Sequence, residues 1–297
     1  MSLINKHNKH IFQKKRTGQG TLSRSAGGTA AILAFLALAG MFMVLPVLYT
    51  VVTAFKPLHE MFYWPPRFFV REPTLANFTM LFEIVQDMWA PLERYVFNSV
   101  FVSALGTALY VFVASMAAYP LAKYRSKVLE GIYWVVVLAI MFRPEVTRIP
   151  QYVIMSGLGL VNTYAALILP ALASSFGVFL MRQFMTEVPV AMLEAARIDG
   201  ASEYVIFFGL MLPMTRPAWL TLIIFTFTQL WNMNGAEYVY EESMKPLAAV
   251  FAQIASAGIA RAGAGAAVAL LMMVPPYAVF IFSQSSVMET MAHTGIK

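Results

Sequence analysis

The chain has no cysteine among its 297 residues. Disulfides and thiolate metal sites are therefore excluded, while the compartment stays open. Charge is scarce too: Asp, Glu, Lys and Arg make up 12% of the sequence, against roughly a quarter in soluble domains. No Gly-x4-Gly-Lys-Ser/Thr phosphate loop occurs anywhere, so this chain does not hydrolyse nucleotide by that device. Histidine is nearly absent outside the ends. His59 stands without a clustered nucleophile or base, and His7 with His10 lacks further ligands for a metal.

What fills the sequence is apolar surface: 59% of residues are hydrophobic, and the mean hydropathy is +0.67. These values point to an integral membrane protein built of α-helices. Charge-free runs near the roughly 20 residues a span requires cover 25–55, 95–122, 149–181, 217–236 and 262–288. A shorter run, 128–142, supplies a sixth, giving an expectation of six transmembrane helices. The first run follows Lys14, Lys15 and Arg16 and contains Ala37-Leu38-Ala39, as a secretory signal would. It continues apolar through Met41 to Val52, however, beyond the 7–15 residues of a signal core, and reads as a retained helix.

With six spans both ends share one side. That side carries Lys6, Lys9, Lys14, Lys15, Arg16, Arg24, Lys123 to Lys127, Arg182, Arg197 and Arg216, which makes the termini cytoplasmic. The net charge of +6 then reflects orientation in the membrane, and nucleic-acid binding is not needed to explain it. Residues 1–24 form a polar cytoplasmic segment, with an amphipathic stretch over 3–12, ahead of a transmembrane domain over 25–297. The first outer loop, 56–93, is punctuated by Trp64-Pro65-Pro66, Pro73 and Pro91. Further outer connections are expected at 143–162 and 234–261.

One polar interruption stands out, residues 187–216, within a cytoplasmic loop over 184–216. Pro189 suits a first helical turn, 190–199 contains good helix formers, and Gly200 permits a sharp end. The expectation is a helix of about three turns, with the chain then turning through 201–212 before Pro213 and Pro217 admit the next span. Ala195 and Ala196 keep part of its surface small, and Glu194, Arg197, Asp199 and Glu203 are charged handles. By spacing alone an ordinary solvated loop fits equally well.

The pattern Glu194-Ala195-Ala196, three residues, Gly200, nine residues, Leu210, one residue, Leu212-Pro213 resembles the EAA signature of ATP-binding-cassette importer permeases. Leu210 stands where that family often has Ile. Asn162-Thr163-Tyr164, Pro170, Phe176-Gly177, Arg182-Gln183-Phe184, Phe225-Thr226-Phe227 and Trp231-Asn232 are similar to its carbohydrate branch, in particular the maltose-type second permease. The resemblance covers most of 28–297, is strongest over about 140–235, and leaves out 1–24.

The resemblance implies a non-catalytic subunit in a bacterial inner membrane. Its insert would be a coupling helix seated in a cytoplasmic ATPase, with Glu194, Ala195, Ala196 and Gly200 in contact, Arg197 and Asp199 in support, and Pro213 at the re-entry. The implied partners are two ATP-binding-cassette ATPases, which hold the ATP and Mg, a homologous second permease, and an extracytoplasmic solute-binding protein. This chain would bind no cofactor. Gly235, Glu237, Tyr238 and Tyr240 fall where the family's loop reaches into the binding protein, and an ordinary polar loop is the competing reading.

A path for substrate is suggested by charge. A continuous helix from Lys127 would raise Arg143 about 24 Å, short of the roughly 30 Å hydrocarbon core. A charge there costs on the order of 3 kcal/mol against lipid, so Arg143 is expected to face protein or a wet cavity. Pro144 and Pro150 bracket Glu145 and Arg148, which suggests a broken helix lining that cavity. Arg143, Glu145, Arg148, Gln151, Trp231 and Asn232 are the candidate path residues. Two guanidinium groups suit carboxylates, hence an acidic, uronate-containing oligosaccharide. The alternatives are a neutral oligosaccharide, with the arginines paired to Glu145 or drawn to the interface. Trp231 and Tyr277 could stack on sugar rings, although packing is the commoner role of aromatics within spans.

The competing classes are a self-sufficient secondary transporter and an intramembrane enzyme. The former usually carries acidic residues in its spans for ion coupling, and four of these six runs lack them. Glycines and alanines over 258–267 suit tight helix packing, and the tail from residue 283 could reach the ATPases.

Overall fold

The structure is a computed structural model that describes residues 26–86 and 88–294, with side-chain surroundings through residue 284. The N-terminal polar segment, with His7 and His10, lies outside the described residues. Contacts divide the chain into two units between residues 49 and 50. Helix α1, Ala26–Ala54, makes up the described part of the first unit and runs into the second. Through residue 49 it is apolar all round, with Leu33, Phe35, Leu36, Met41, Phe42 and Met43 on its surface, the composition of a membrane-crossing helix.

The second unit is organised around α4, Leu92–Lys123. Before it come the single turn α2, Leu58–Met61, and α3, Ala76–Gln86. Buried positions of α4 recur at Tyr95, Ser99, Val102, Gly106, Tyr110, Ala114 and Ala118, one face of a helical repeat. Several are small, which lets neighbours approach closely. A methyl at Gly106 would overlap Leu230, and one at Gly177 would overlap the Tyr110 hydroxyl.

Around α4 pack α5, Lys127–Ile140, then α7, Tyr164–Leu172, and α8, Ser175–Glu187. Between them α6, Pro144–Gly157, begins on Arg143 as its N-cap. The chain then forms α9, Val190–Ile198; α10, Glu203–Met214; α11, Arg216–Trp231; α12, Leu247–Ser256; and α13, Ala262–Thr294. Among the described residues there is no strand. One apolar cluster joins Tyr110, Ala118, Met181, Leu193, Ile206 and Leu222, and a second joins Leu81, Tyr95, Trp231, Ile254 and Ala264.

Three helical stretches, Gly27–Ala54, Leu92–Lys123 and Ile259–Gln284, are long and apolar enough to cross a membrane. Two bent pairs, α7 with α8 at 44° and α10 with α11 at 76°, raise the number to five if each is one span. The expected run 128–142 becomes α5, whose 14 residues rise only about 21 Å.

Four expectations need correction. The run 149–181 is not one span: Gly159 and Asn162 adopt φ of 67° and 65°, so α6 ends and α7 starts in a new direction. Pro150 does not break α6, which runs through it. Residues 201–212 are largely helical instead of a turn, and α10 contains a π-helical stretch at Phe207–Met211. The connection 234–261 is half helix, because Leu247, Val250 and Ile254 bury α12 in the second cluster.

Candidate functional site

Two places gather the sequence candidates. The first is α9 and its flanks. Val188 and Pro189 are extended, and Lys123 Nζ at the end of α4 donates to the Val188 carbonyl. The far end closes with the amide of Ala201 on Ala196 O at 2.9 Å and that of Gly200 on Arg197 O at 3.0 Å. Gly200 sits at φ 82°, so the cap is a Schellman turn, which L side chains resist. Leu193 is buried under α9, with half-buried Ala196 beside it, whereas Glu194, Ala195, Ile198 and Asp199 are exposed. Ile198 is 86% exposed and Tyr204, just beyond α9, 76%.

The charged residues do not act alike. Arg197 Nε donates to Glu203 Oε1 at 2.8 Å, and the Tyr119 hydroxyl of α4 donates to Glu203 Oε2 at 2.7 Å. Arg197 and Glu203 are thus paired within the chain, which leaves Glu194 and Asp199 as the outward carboxylates. Beyond, the 76° bend falls at Thr215, with Pro213 in the last turn of α10 and Pro217 in the first of α11. Proline offers no N–H to the preceding turn. At the bend Met211 O accepts from the Thr215 N–H at 3.0 Å and from its Oγ1 at 2.8 Å, and Leu212 O accepts from Trp219 Nε1 at 3.0 Å, so these two carbonyls keep partners.

The second place is a half-open cavity of about 570 Å³ between the end of α5, α6, the α7–α8 break, the end of α11 and the loop after it. Arg148, Gln151, Gln229, Asn234 and Glu237 line it with Phe176 and Tyr238. Arg148 Nε lies 2.9 Å from Glu237 Oε1, joining α6 to the loop. Asn162 also holds that loop: its backbone N–H donates to Tyr238 O at 2.7 Å, and its Oδ1 accepts from Tyr240 N and Glu241 N at 3.2 and 3.0 Å. Tyr152 stacks on Tyr238, and its hydroxyl is 2.6 Å from that of Tyr240. Gly235, at φ 70°, fits between Leu167 and Pro246.

Several path candidates fall elsewhere. Arg143 is exposed and pairs with Glu145 at 3.3 Å; its neighbour Phe142 lines the cavity, but neither Arg143 nor Glu145 does. The continuous helix assumed for its depth stops at Ile140. Trp231 is buried and donates to Met272 O at 2.8 Å, a packing role that leaves no ring face for a sugar. Asn232 donates to Thr228 O at 2.9 Å and borders a separate apolar groove with Tyr277. Gln229, Tyr152, Asn162 and Tyr119 were not among the sequence candidates. Of these, Asn162 carries a local signal, since asparagine tolerates positive φ.

Residues 110–285 match the family model described as "Binding-protein-dependent transport system inner membrane component". The chain is 30% identical over 217 residues, 72% of its length and 80% of the relative's, to a lactose transport system permease protein of Rhizobium radiobacter. It is 27% identical over 225 residues to a polygalacturonan/rhamnogalacturonan transport system permease protein of Bacillus subtilis (strain 168), covering 75% of this chain and 76% of that one. In fold it is similar, with a TM-score of 0.74 at 17% identity, to a chain of a bacterial ABC transporter involved in the import of the acidic polysaccharide alginate. That likeness covers 88% of this chain and 98% of the other.

Proposed function

This chain belongs to the family of binding-protein-dependent transport system inner membrane components, and we propose that it is one permease subunit of an ATP-driven oligosaccharide importer. In this reading α1, α4, α5, the α7–α8 pair, the α10–α11 pair and α13 are six spans of a bacterial cytoplasmic membrane, with both termini cytoplasmic. Short α5 would cross with the help of its flanking residues. The observation that carries the reading is α9: a capped helix whose Leu193 is buried in the apolar cluster shared with α4, α8 and α11 and which presents Ala195, Ile198 and Asp199 on the other face. Such a face suits the cleft of a partner ATPase, which would hold the ATP and Mg. A homologous second permease would complete the pore, and a solute-binding protein would deliver the sugar from outside.

For substrate, the cavity offers amides for hydroxyl groups, aromatic faces and one arginine. Arg148 supports an acidic oligosaccharide, whose carboxylate would replace Glu237 on the guanidinium. The relative named for polygalacturonan transport supports the same reading. A neutral oligosaccharide is the second reading, favoured by the existing Arg148–Glu237 pair.

The test is assembly followed by uptake. Purified in detergent with its neighbouring gene products, the chain should bring an ATPase with it, and proteoliposomes should take up oligosaccharide only with ATP inside and binding protein outside. Uptake that persists without ATP, with no ATPase copurifying, would instead indicate a self-sufficient carrier.

A further inference from the structure

The polar groups at the two ends of α4 form joints to the two candidate sites. At its C-terminal end, Lys123 holds the carbonyl of Val188 just before α9, and Tyr119 holds Glu203 just after it. Glu203 in turn holds Arg197 on α9 itself. The Tyr119 ring also meets Phe207 of α10 edge-on, with centroids 5.6 Å apart. At the N-terminal end, Tyr95 donates to Glu242 Oε1 at 2.9 Å, and Asn98 Nδ2 donates to Ser243 O and Lys245 O, both at 2.9 Å. Those acceptors belong to the loop that carries Glu237 on the cavity wall. Tyr95 and Tyr119 stand 24 residues apart on this continuous helix, about 36 Å.

We propose that α4 is the rod that carries displacement of α9 to the cavity loop, with Tyr119–Glu203–Arg197 as its inner joint and Tyr95 and Asn98 as its outer one. Tyr119 and Glu203 are positioning residues: they touch neither substrate nor nucleotide. Leu193 and Ile206 share one apolar cluster with Tyr110 and Ala118 of α4, but such burial is nondirectional. A carboxylate held by two directed donors fixes angle as well as distance. The proposal rests on α9 being the ATPase-docking element.

The experiment is reconstitution of the full importer with Tyr119→Phe, Glu203→Ala, Glu203→Gln and Tyr95→Phe, reading sugar transported per ATP hydrolysed. Tyr119→Phe and Tyr95→Phe each remove one hydroxyl, and Glu203 is about half exposed, so Glu203→Ala tests the joint even if a tyrosine variant fails to fold. Expected is a fall of roughly fivefold or more in transport per ATP for Tyr119→Phe, Glu203→Ala and Tyr95→Phe. Glu203→Gln, which keeps an acceptor, should retain most of the ratio, and ATPase copurification should be unchanged throughout. An unchanged ratio in Tyr119→Phe and Glu203→Ala, with the ATPase still bound, overturns the rod while sparing the docking role of α9. A wild-type chain that binds no ATPase overturns both.

Discussion

Arg148 and Glu237 are joined at 2.9 Å on the cavity wall, so the one arginine among the described residues lining that space meets its carboxylate before any ligand does. Both side chains remain partly exposed, and such pairs contribute about 1 kcal/mol or less to stability. A pair this weak can exchange partners. Arg148→Gln should therefore lower uptake of uronate oligosaccharides on the order of tenfold, the factor for one charge-assisted hydrogen bond, and leave neutral ones within about twofold. Glu237→Gln should favour the acidic class further. Equal loss for both classes in the Arg148 variant would rule out recognition of charge.

The end of α9 gives a second prediction. Gly200 at φ 82° donates its N–H to Arg197 O, and proline can neither reach that angle nor donate. Gly200→Pro should uncouple ATP hydrolysis from uptake or detach the ATPase. Gly200→Ala, with open space around its new methyl, should cost only the left-handed strain of about 1–2 kcal/mol. Glu194→Lys alters no contact within the chain that the structure records, so a fall in ATPase copurification on that change would mark the exposed face of α9 as the docking surface. Full transport by Gly200→Pro would mean that α9 is only a connection.

These two regions were unequally legible in the sequence. The limits of α9 follow from Pro189 and Gly200, which act on the backbone locally, so the helix was readable without its surroundings. The break between α6 and α7 was also written locally, in Gly159 and Asn162, but a charge-free run concealed it because span reading weighs composition above punctuation. Arg143 was placed in a cavity by assuming a straight helix from Lys127, and α5 ends three residues short of it. Gln229 in the cavity and Tyr119 on Glu203 depend on how α4, α10 and α11 pack, which no spacing within one helix reveals.

Packing of α13 on α3 supplies a third prediction. Asn77 is buried, and its Nδ2 donates to Ala54 O at 2.9 Å and Lys56 O at 2.8 Å, satisfying carbonyls freed where α1 ends. A methyl at Gly263 would collide with the Asn77 amide group. Gly263→Ala should destabilise the protein by about 1–3 kcal/mol, seen as a lower Tm in detergent. Gly131→Ala on α5, where nothing lies within 4 Å, should be neutral or stabilising by about 0.5–1 kcal/mol. Equal Tm values for the two variants would show that Asn77 yields without cost.

The loop after α1 gives a prediction in pH. Glu60 accepts the amide of Glu72 at 3.0 Å and that of Arg71 at 3.2 Å, folding the 60–72 segment back on α2. Burial pushes its carboxyl upward, but those two amides, with His59 and Lys56, outweigh it and hold the group below its ordinary value of 4.5. A carboxyl with a depressed folded value stabilises fully above its unfolded value and loses that contribution as pH falls through the folded one. Protection of the Arg71 and Glu72 amides from hydrogen exchange, corrected for intrinsic rate, should persist down to about pH 5 and be lost as pH falls through and below the ordinary carboxylate range near 4. Glu60→Gln should produce the acid behaviour at neutral pH, since its amide group presents a donor where two backbone donors already point. Undiminished protection in Glu60→Gln at pH 7 would show that the loop is held by Lys56 Nζ on Arg67 O, at 2.6 Å, without help from the carboxylate.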